Sequence, residues 1–381
     1  MLVGFRDAAK MRTKKLVFEE VFYACDAKTL ERLKELSSRR RVIEQSINQN
    51  SNITEAIARE MSGGSSCPYE QDLQKLERYL PLLINLVFYT ESVKTKTLKL
   101  QKRVTDFKIR WSSPLSASCI MRIGSPKFYS IDNLRFELGM SLFLYGATLR
   151  ERAFETLLTD LKETSTLFRK AAGVYRYLAE VILPPLQVHL AKDRPPEVTS
   201  SLSTVMSLIC LADAQAATVK RAEEKGNSPS LLSKLHLGVN FILHEANSVL
   251  ALSEEEGNDV SAKFKELLPI NITLHELRSR RYLAEHLQHE SHGTAVAVLR
   301  HAVAKAKKVR NSNSNSWCRV ISQEISDADK KLKKLEYDNE TVYHEKIPSA
   351  DSLPVLESKI IVDALPYEPQ TIESSELYFQ I

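Results

Sequence analysis

Hydrophobic positions recur with helical spacing along most of the chain, and most densely over residues 200–245. In the first half of this stretch, apolar side chains such as Val205 and Ile209 leave almost no polar face. A helix that is apolar nearly all round is buried inside a larger protein. Gly226 and Pro229 then end this helix and begin the next. The pattern predicts two helices joined by a short turn at the centre of the fold.

The second helix of this pair carries two apolar stripes. Leu232, Val239 and Leu243 form the first stripe. Leu231 and Leu235 form the second, four residues apart and rotated from the first. Because one stripe is enough for packing, the second is either further core, as ordinary amphipathic packing favours, or an exposed groove for a partner.

Helical spacing extends over most of the remaining chain. The predicted helices cover residues 29–50, 53–61, 69–96, a segment capped by Asp132, a segment that stops at Pro184-Pro185, and about 258–268, 271–290, 293–311 and 314–338. Pro81 lies inside the third of these helices and predicts a kink or a break. Long helices with short turns suggest a solenoid-like stack, although no strict 34-residue repeat is present.

Two segments lack this helical spacing of apolar residues. Phe107, Ile109 and Trp111 alternate with polar residues between turns, so residues 104–130 are predicted to form a small hairpin. Residues 8–26 fit a helix and a strand equally well. The last 35 residues contain four prolines and are predicted to be extended, with apolar side chains that lie along the helical body.

Composition narrows the class of protein. The chain of 381 residues is 43% apolar and 27% charged, as globular proteins are. Its 11 glycines disfavour phosphate loops and β-rich folds, and its five widely spaced cysteines suggest free thiols in a reducing compartment. The N-terminus is too charged for a signal peptide, and the longest mostly apolar run, Tyr79 to Tyr89, is too short to cross a bilayer.

Charge is unevenly distributed, although the net charge of +5 is mild and does not require nucleic acid. Residues 305–334 are basic and the residues from Glu336 onward are acidic. The basic stretch either faces an acidic membrane surface or is simply solvated. Its candidate membrane residues are Lys305, Lys307, Lys308, Arg310, Lys330 and Lys331. Arg39-Arg40-Arg41 is predicted to be a solvated helix face.

Catalytic and cofactor signatures are missing from the sequence. No GxxxxGK[ST], GxSxG, HExxH or GxGxxG motif occurs. His286, His289 and His292 have a spacing that a metal site could use, but a solvated helix end explains them better because no cysteine lies nearby. We therefore expect no metal, no cofactor, no small-molecule substrate and no enzymatic activity.

Four segments resemble the BRO-domain (ALIX-like) family over roughly residues 100–365. They are Phe136-Glu137 with Leu142-Phe143, residues 168–175 (FRKAAGVY), residues 208–215 (LICLADAQ) and residues 342–348 (VYHEKIP). Their order and separations are similar to those in the family. The first 100 residues or so match only loosely. Since this chain has no further domain or Pro-rich tail, it resembles the members that consist of a BRO domain alone.

The resemblance implies a mostly α fold, a curved helical solenoid with tetratricopeptide-like packing and a small N-terminal β element. It also implies one BRO domain over residues 1–367. Its parts would be loosely matching helices over 1–103, the hairpin over 104–130, the solenoid over 131–340 and a packed extended segment over 341–367. Residues 368–381 would be an acidic tail. With no cysteine near Ile381, no farnesylation is expected.

The family's shared activity is binding the C-terminal amphipathic helix of an ESCRT-III filament subunit, which is helix-in-groove recognition. By resemblance, the family's apolar contact pair falls on Leu231 and Leu235, and a contact phenylalanine falls on Thr218, which removes one anchor. Lys234 would steer acidic residues of the ligand. Met121 and Ile123 would complete the groove.

The expected function is that of a cytoplasmic, non-enzymatic adaptor, recruited peripherally to endosomes in multivesicular-body sorting or membrane remodelling, and so in protein transport. The alternative is a helical scaffold that binds another peptide or an acidic membrane directly. Tyr343 falls on a tyrosine that serves kinase signalling in the family. It is either a phosphorylation site or, as the abundance of buried tyrosines favours, a packed residue at the last helix end.

Overall fold

Long helices follow one another along the chain in the computed structural model. The structure describes residues 4–22, 24, 27–50, 68–92, 107–119, 126–188, 190, 193–255, 259–312 and 318–370. The long helices are α1 (Ala27–Asn50), α2 (Pro68–Ser92), α3 (Leu134–Thr156), α4 (Leu161–Tyr177), α5 (Ser200–Glu224), α6 (Pro229–Glu255), α7 (Leu267–Leu287), α8 (His292–Ser312) and α9 (Cys318–Asp338). The short helices are Phe18–Val21, Leu183–Gln187 and Ala262–Lys265. The strands are β1 (Ile109–Ser112) and β2 (Phe128–Ile131). The predicted helix over residues 53–61 lies outside the described residues.

Each long helix packs mainly against its neighbours in the chain, and α7 also contacts α9. One continuous cluster of buried apolar side chains reaches from Phe5 to Ala364. A smaller cluster lies between α7, α8 and α9, around Leu299 and Ile325. Sequential packing of this kind is that of a helical solenoid with a small β element, as the sequence predicted.

Helix α5 lies at the centre of the stack. By length and composition it could span a membrane, but 83% of its apolar window is buried by the rest of the protein, which identifies it as a core helix. Cys210 lies in this helix as a buried free thiol, and burial raises its pKa to about 12. The prediction of a helix buried all round is confirmed.

The β element is an antiparallel pair. Ile109 pairs with Ile131 and Ser112 with Phe128. The connection includes residues 120–125, which are outside the described residues. Strand β1 also forms a bridge from Trp111 to Thr13, which ties the N-terminal segment to the hairpin.

Several predicted helix boundaries are corrected. Helix α2 continues through Pro81 without a break. Asn133, not Asp132, caps α3, because its side chain accepts a hydrogen bond from the Arg135 N–H at 2.8 Å. The chain after α4 does not stop at Pro184, since a π-helical turn (Leu178–Ile182) leads into the helix Leu183–Gln187, in which the prolines occupy the first turn.

The arginine triplet of α1 is not a uniformly solvated face. Arg40 is fully buried, and its Nε donates to Glu137 of α3 at 2.6 Å. Glu137 also accepts from Tyr79 of α2 at 3.0 Å and from Trp111 of β1 at 2.7 Å. Each of these three donors comes from a different element, so one carboxylate joins α1, α2 and the hairpin to α3.

Residues 345–367, here called the strap, run back along the solenoid and are extended except for a 3₁₀ turn at Ala350–Ser352. It contacts helices in descending order, from α8 to α3. The contacts are Gly293 N–H to Glu345 Oε2 (2.9 Å), Arg280 Nη1 to the Pro354 carbonyl (3.4 Å), Lys359 N–H to the Lys234 carbonyl (3.0 Å), Leu365 N–H to the Arg169 carbonyl (3.1 Å), and the Tyr367 ring on the Tyr145 ring (6.1 Å between centroids). The predicted extended segment was assigned to residues 341–367, but a π-helical turn (Asn339–Tyr343) continues α9 as far as Tyr343, and only the chain after it is extended along the helices.

Two helix glycines make this close approach possible. A Cβ on Gly173 of α4 would lie 1.7 Å from the Leu365 carbonyl oxygen, and one on Gly238 of α6 would lie 2.3 Å from that of Lys359. Real Cβ atoms do not approach backbone this closely, so both positions require glycine for as long as the strap is docked.

Candidate groove between helices α5, α6 and the strap

The residues assigned to partner binding lie on two neighbouring helices. Thr218 is on α5, whereas Leu231, Lys234 and Leu235 are on the first turns of α6. Gln215 Nε2 of α5 donates to the Leu235 carbonyl of α6 at 3.3 Å, which fixes the register of the two helices. Since the chain reverses between them, Thr218, one turn after Gln215, lies level with Leu231, one turn before Leu235.

The two leucines of the second stripe have different environments. Leu235 is 2% exposed and belongs to the main core, so the expectation that it presents an exposed anchor is wrong. Leu231 is half-buried and packs on the edge of the same core. The physical reason is that α6 is covered by α5, α7 and the strap, which leaves only a narrow exposed arc that includes Leu231 but not Leu235.

The backbone of the strap contacts both helices beside these residues. Lys359 N–H donates to the Lys234 carbonyl at 3.0 Å, and Ile361 N–H donates to Gln215 Oε1 at 3.1 Å. The Ile360 and Ile361 side chains are 43% and 49% exposed. Their apolar character in an otherwise polar tail was the available signal, but it did not indicate which helices they would reach.

Thr218 makes a polar link where the family's pattern has an aromatic residue. Its Oγ1 donates to the Ala214 carbonyl at 2.9 Å and lies 3.1 Å from the Ser165 hydroxyl of α4. The side chain is half-buried. This position therefore joins α4 and α5 and offers a hydroxyl in place of an apolar anchor.

Positive charge borders Thr218 on the α4 side. Lys162, Lys220 and Arg221 line a cavity of about 360 Å³ between the turn before α4 and the end of α5, together with Asp160 and Glu224. The Asp160 carboxylate caps α4, and hydrogen bonds from the backbone N–H groups of Glu163 and Lys162 lower its pKa. The cations outnumber the acids there, which favours an acidic ligand.

A partly buried chain of polar side chains connects the helices beside the groove. Tyr282 Oη donates to Glu223 Oε1 at 2.8 Å, and His236 Nε2 lies 3.2 Å from the same oxygen. His236 Nδ1 and His275 Nδ1 are 3.1 Å apart. Because the carboxylate accepts at His236 Nε2, His236 carries its proton there and accepts at Nδ1 from His275. The chain thus links α5, α6 and α7.

Burial dominates the titration of this polar chain. Desolvation lowers the pKa of His236, and desolvation together with His236 lowers the pKa of His275 well below its ordinary value. Burial alone would raise the pKa of Glu223, but hydrogen bonds from His236 and Tyr282 outweigh it and lower that pKa. Both imidazoles are therefore neutral at pH 7.

The remaining candidates are dispersed. Met121 and Ile123 lie outside the described residues. Tyr343 is half exposed and stacks on His292, with ring centroids 4.1 Å apart, so it is only partly packed. Phosphorylation at Tyr343 stays a prediction. Within the described ranges no group of three metal-ligating side chains comes together, and His292 contacts Tyr343 and the Leu335 carbonyl.

Most of the predicted basic surface is paired within the protein. The pairs are Lys305 with Glu276 (2.7 Å), Lys307 with Asp329 (2.6 Å), Lys330 with Asp327 (3.7 Å) and Lys331 with Glu285. Lys308 and Arg310 have no ion-pair partner in the part of the chain that the structure describes. The side chains that could meet an acidic membrane are therefore fewer than the sequence suggested.

Comparisons with known proteins agree on one family. A family model described as a BRO1-like domain matches residues 38–380. A curated relative, the ALG-2 interacting protein X of Dictyostelium discoideum, is 25% identical over 329 residues, which cover 82% of this chain and 40% of the relative. The chain thus spans less than half of that protein's length.

Solved structures share the fold. The ALIX BRO1 domain in a complex with CHMP4C has a TM-score of 0.70 and 16% identity, over 97% of this chain and 98% of that one. ALIX in complex with the SIVmac239 PYKEVTEDL late domain has a TM-score of 0.68 and 17% identity, over 96% of this chain and 49% of that one. A Bro1 domain described as the basis of endosomal targeting has a TM-score of 0.61 and 19% identity, over 93% and 91%.

Proposed function

The chain belongs to the BRO1-like domain family, and we propose that it is a non-enzymatic adaptor of endosomal sorting that binds the C-terminal amphipathic helix of an ESCRT-III filament subunit. The proposal places the protein in the cytoplasm, recruited peripherally to endosomes by that helix. We also propose that residues 1–367 form one BRO domain and that an acidic tail follows it.

The observation that carries this proposal is the surface at the junction of α5, α6 and the strap. Leu231 of α6 is half-buried, and Ile360 and Ile361 are exposed in the part of the strap whose backbone bonds to α6 and α5. Apolar anchors at the centre of a surface supply most of the energy of helix-in-groove binding. Lys234 and Arg221 lie on the borders of this surface and suit a ligand helix with acidic residues.

A relative of the same fold supports the choice of ligand. The ALIX BRO1 domain, which matches nearly the whole chain in structure, was solved in a complex with CHMP4C. Direct attachment to an acidic membrane is the alternative function. The internal pairing of Lys305, Lys307, Lys330 and Lys331 disfavours that alternative, because paired ammonium groups attract anionic lipids less.

The test is a titration of a fluorescent CHMP4C C-terminal helix peptide, followed by anisotropy. The wild-type protein is expected to bind with a Kd of about 1–100 μM, and Leu231→Asp to weaken binding at least about tenfold, because a carboxylate cannot replace an apolar anchor. Leu252→Asp is the matched control, since Leu252 is 60% exposed on the same helix and far along it.

Leu235→Asp tests whether Leu235 is a core residue or a residue of the binding surface. Because Leu235 is buried, an aspartate there should lower the helical circular dichroism and unfold the protein rather than only abolish binding. Leu231→Asp should retain the wild-type spectrum. No binding by the folded wild-type protein, or equal loss in Leu231→Asp and Leu252→Asp, would refute the proposal.

A further inference from the structure

A second cavity, of about 290 Å³, lies where the strap reaches α2, α3 and α4, outside the groove described above. Its lining comes from these three helices, from the end of the strap and from Glu368 and Gln370 beyond it. A volume of this size is at the lower end of ligand pockets and suits one or two side chains rather than a large cofactor.

The floor of this cavity is apolar and its walls are aromatic. Leu80, Leu149 and Val174 are buried at its base. The rings of Tyr145 and Tyr367 stand beside each other, 6.1 Å apart between centroids. Burial raises the pKa of both phenols, so they are neutral hydrogen-bonding groups at pH 7. The interior thus favours an uncharged, apolar group.

The rim is rich in hydrogen-bond acceptors. The Glu77 and Glu368 carboxylates are exposed there, against one ammonium, that of Lys170. Tyr145 Oη donates to Glu77 Oε1 at 3.0 Å, which orients that carboxylate and leaves its second oxygen for a ligand. The rim is therefore acidic in a chain whose net charge is +5.

Pro81 adds a further acceptor at the same place. In an α-helix the N–H of residue 81 would donate to the carbonyl of residue 77, but proline has no N–H. The Glu77 carbonyl therefore lacks its usual donor four residues on, although the helix continues through this point. Both residues line the cavity, which places this turn of α2 at its border.

We propose that this cavity is a docking site for a partner peptide in which an apolar side chain enters the cavity and an adjacent lysine or arginine pairs with Glu77 and Glu368. The apolar floor accounts for the first residue, and the two carboxylates account for the second. A ligand with acidic flanks is disfavoured, because Lys170 alone would not offset two carboxylates.

The experiment is methyl NMR on the full chain labelled at leucine and valine. The probes are a blocked Pro-Leu-Lys-Arg tetrapeptide and its charge-reversed twin, Pro-Leu-Glu-Glu. The basic peptide is expected to shift the Leu80, Leu149 and Val174 methyl signals with a Kd of about 1 mM, and the acidic peptide to leave them unchanged. No shift, or equal shifts from both peptides, would overturn the proposal.

Variants locate the interaction. Glu77→Gln combined with Glu368→Gln should weaken the basic peptide about fivefold, because two surface ion pairs are lost. Glu357→Gln, an exposed strap acid away from the cavity, should not change it. Pro81→Ala restores an N–H for the Glu77 carbonyl and should weaken the peptide about threefold while the fold is kept. Unchanged affinity in the glutamine double variant would overturn the proposal.

Discussion

The Gln215 Oε1 atom accepts a hydrogen bond from Ile361 N–H at 3.1 Å, and Gln215 Nε2 donates to the Lys359 carbonyl at 2.8 Å. One carboxamide thus satisfies a carbonyl and the N–H two residues later, as a neighbouring β-strand would. The side chain is fully buried. The groove wall formed by the strap is therefore held by a side chain of α5 rather than by a sheet.

Replacing this carboxamide should loosen the strap. Gln215→Met keeps the length of the side chain but leaves the Lys359 carbonyl, the Ile361 N–H and the Leu235 carbonyl without it, and should lower the free energy of unfolding by about 2–4 kcal/mol. Hydrogen exchange at the Ile361 amide should accelerate. Gln323→Met, at an exposed position, is the control. Unchanged exchange at Ile361 would contradict this role for Gln215.

The glycines under the strap allow a second test of the same contact. In a helix, Gly→Ala normally stabilises by about 1 kcal/mol. Gly238→Ala should instead destabilise, because its Cβ would lie 2.3 Å from the Lys359 carbonyl oxygen. Gly139→Ala is the comparison, since its nearest contact would be a Leu183 methyl at 3.3 Å. Thermal unfolding should show a lower Tm for Gly238→Ala than for Gly139→Ala, and the reverse order would show that the strap is not docked there.

The helices and the family could be predicted from the sequence because both depend on local pattern. Helical periodicity identifies α1, α2 and α5 through α9, and the buried face of α5 follows from its lack of polar residues. The ends of the helices were predicted less accurately. Asn133 and Asp132 are both capping residues, and only the bond from the Arg135 N–H distinguishes them.

The composition of the groove depends on contacts that sequence spacing does not contain. Leu231 and Leu235 look equivalent at a spacing of one turn, and only the packing of neighbouring elements on α6 distinguishes the buried Leu235 from the half-buried Leu231. Ile361 lies 146 residues from the glutamine that positions it. Likewise, Arg40 looks like a solvated charge until Glu137, 97 residues away, is placed beside it.

The Arg40–Glu137 pair gives a stability prediction. Glu137→Gln removes the charge that compensates the buried Arg40 guanidinium, and this loss should cost about 3–5 kcal/mol. Glu35→Gln breaks an exposed pair with Arg39 and should cost less than about 1 kcal/mol. Urea unfolding measures both. Similar losses in the two variants would mean that the buried carboxylate contributes no more than a surface one.

The imidazole pair beside the groove predicts a dependence of stability on pH. His236 and His275 face each other, with Glu223 from α5 and Arg278, Arg281 and Tyr282 from α7 around them. Since their pKa values are lowered in the folded protein, the unfolded chain binds more protons below pH 6.5. The contribution of this pair to the free energy of unfolding should then fall as the pH decreases from 6.5, by up to about 1.4 kcal/mol per pH unit for each histidine.

A comparison of variants isolates this effect. Burial raises the pKa of Glu197 to about 7, so that carboxyl opposes the histidines by favouring the folded state as the pH falls from 7 towards 4.5. It is present in every variant, so it cancels in a difference. His275→Asn keeps a donor for His236 Nδ1 but cannot be protonated, and its stability should decrease less than that of the wild type between pH 7.5 and 5.5. His301→Asn, at an exposed site, should follow the wild type, and an identical pH dependence in all three proteins would show that the buried pair titrates normally.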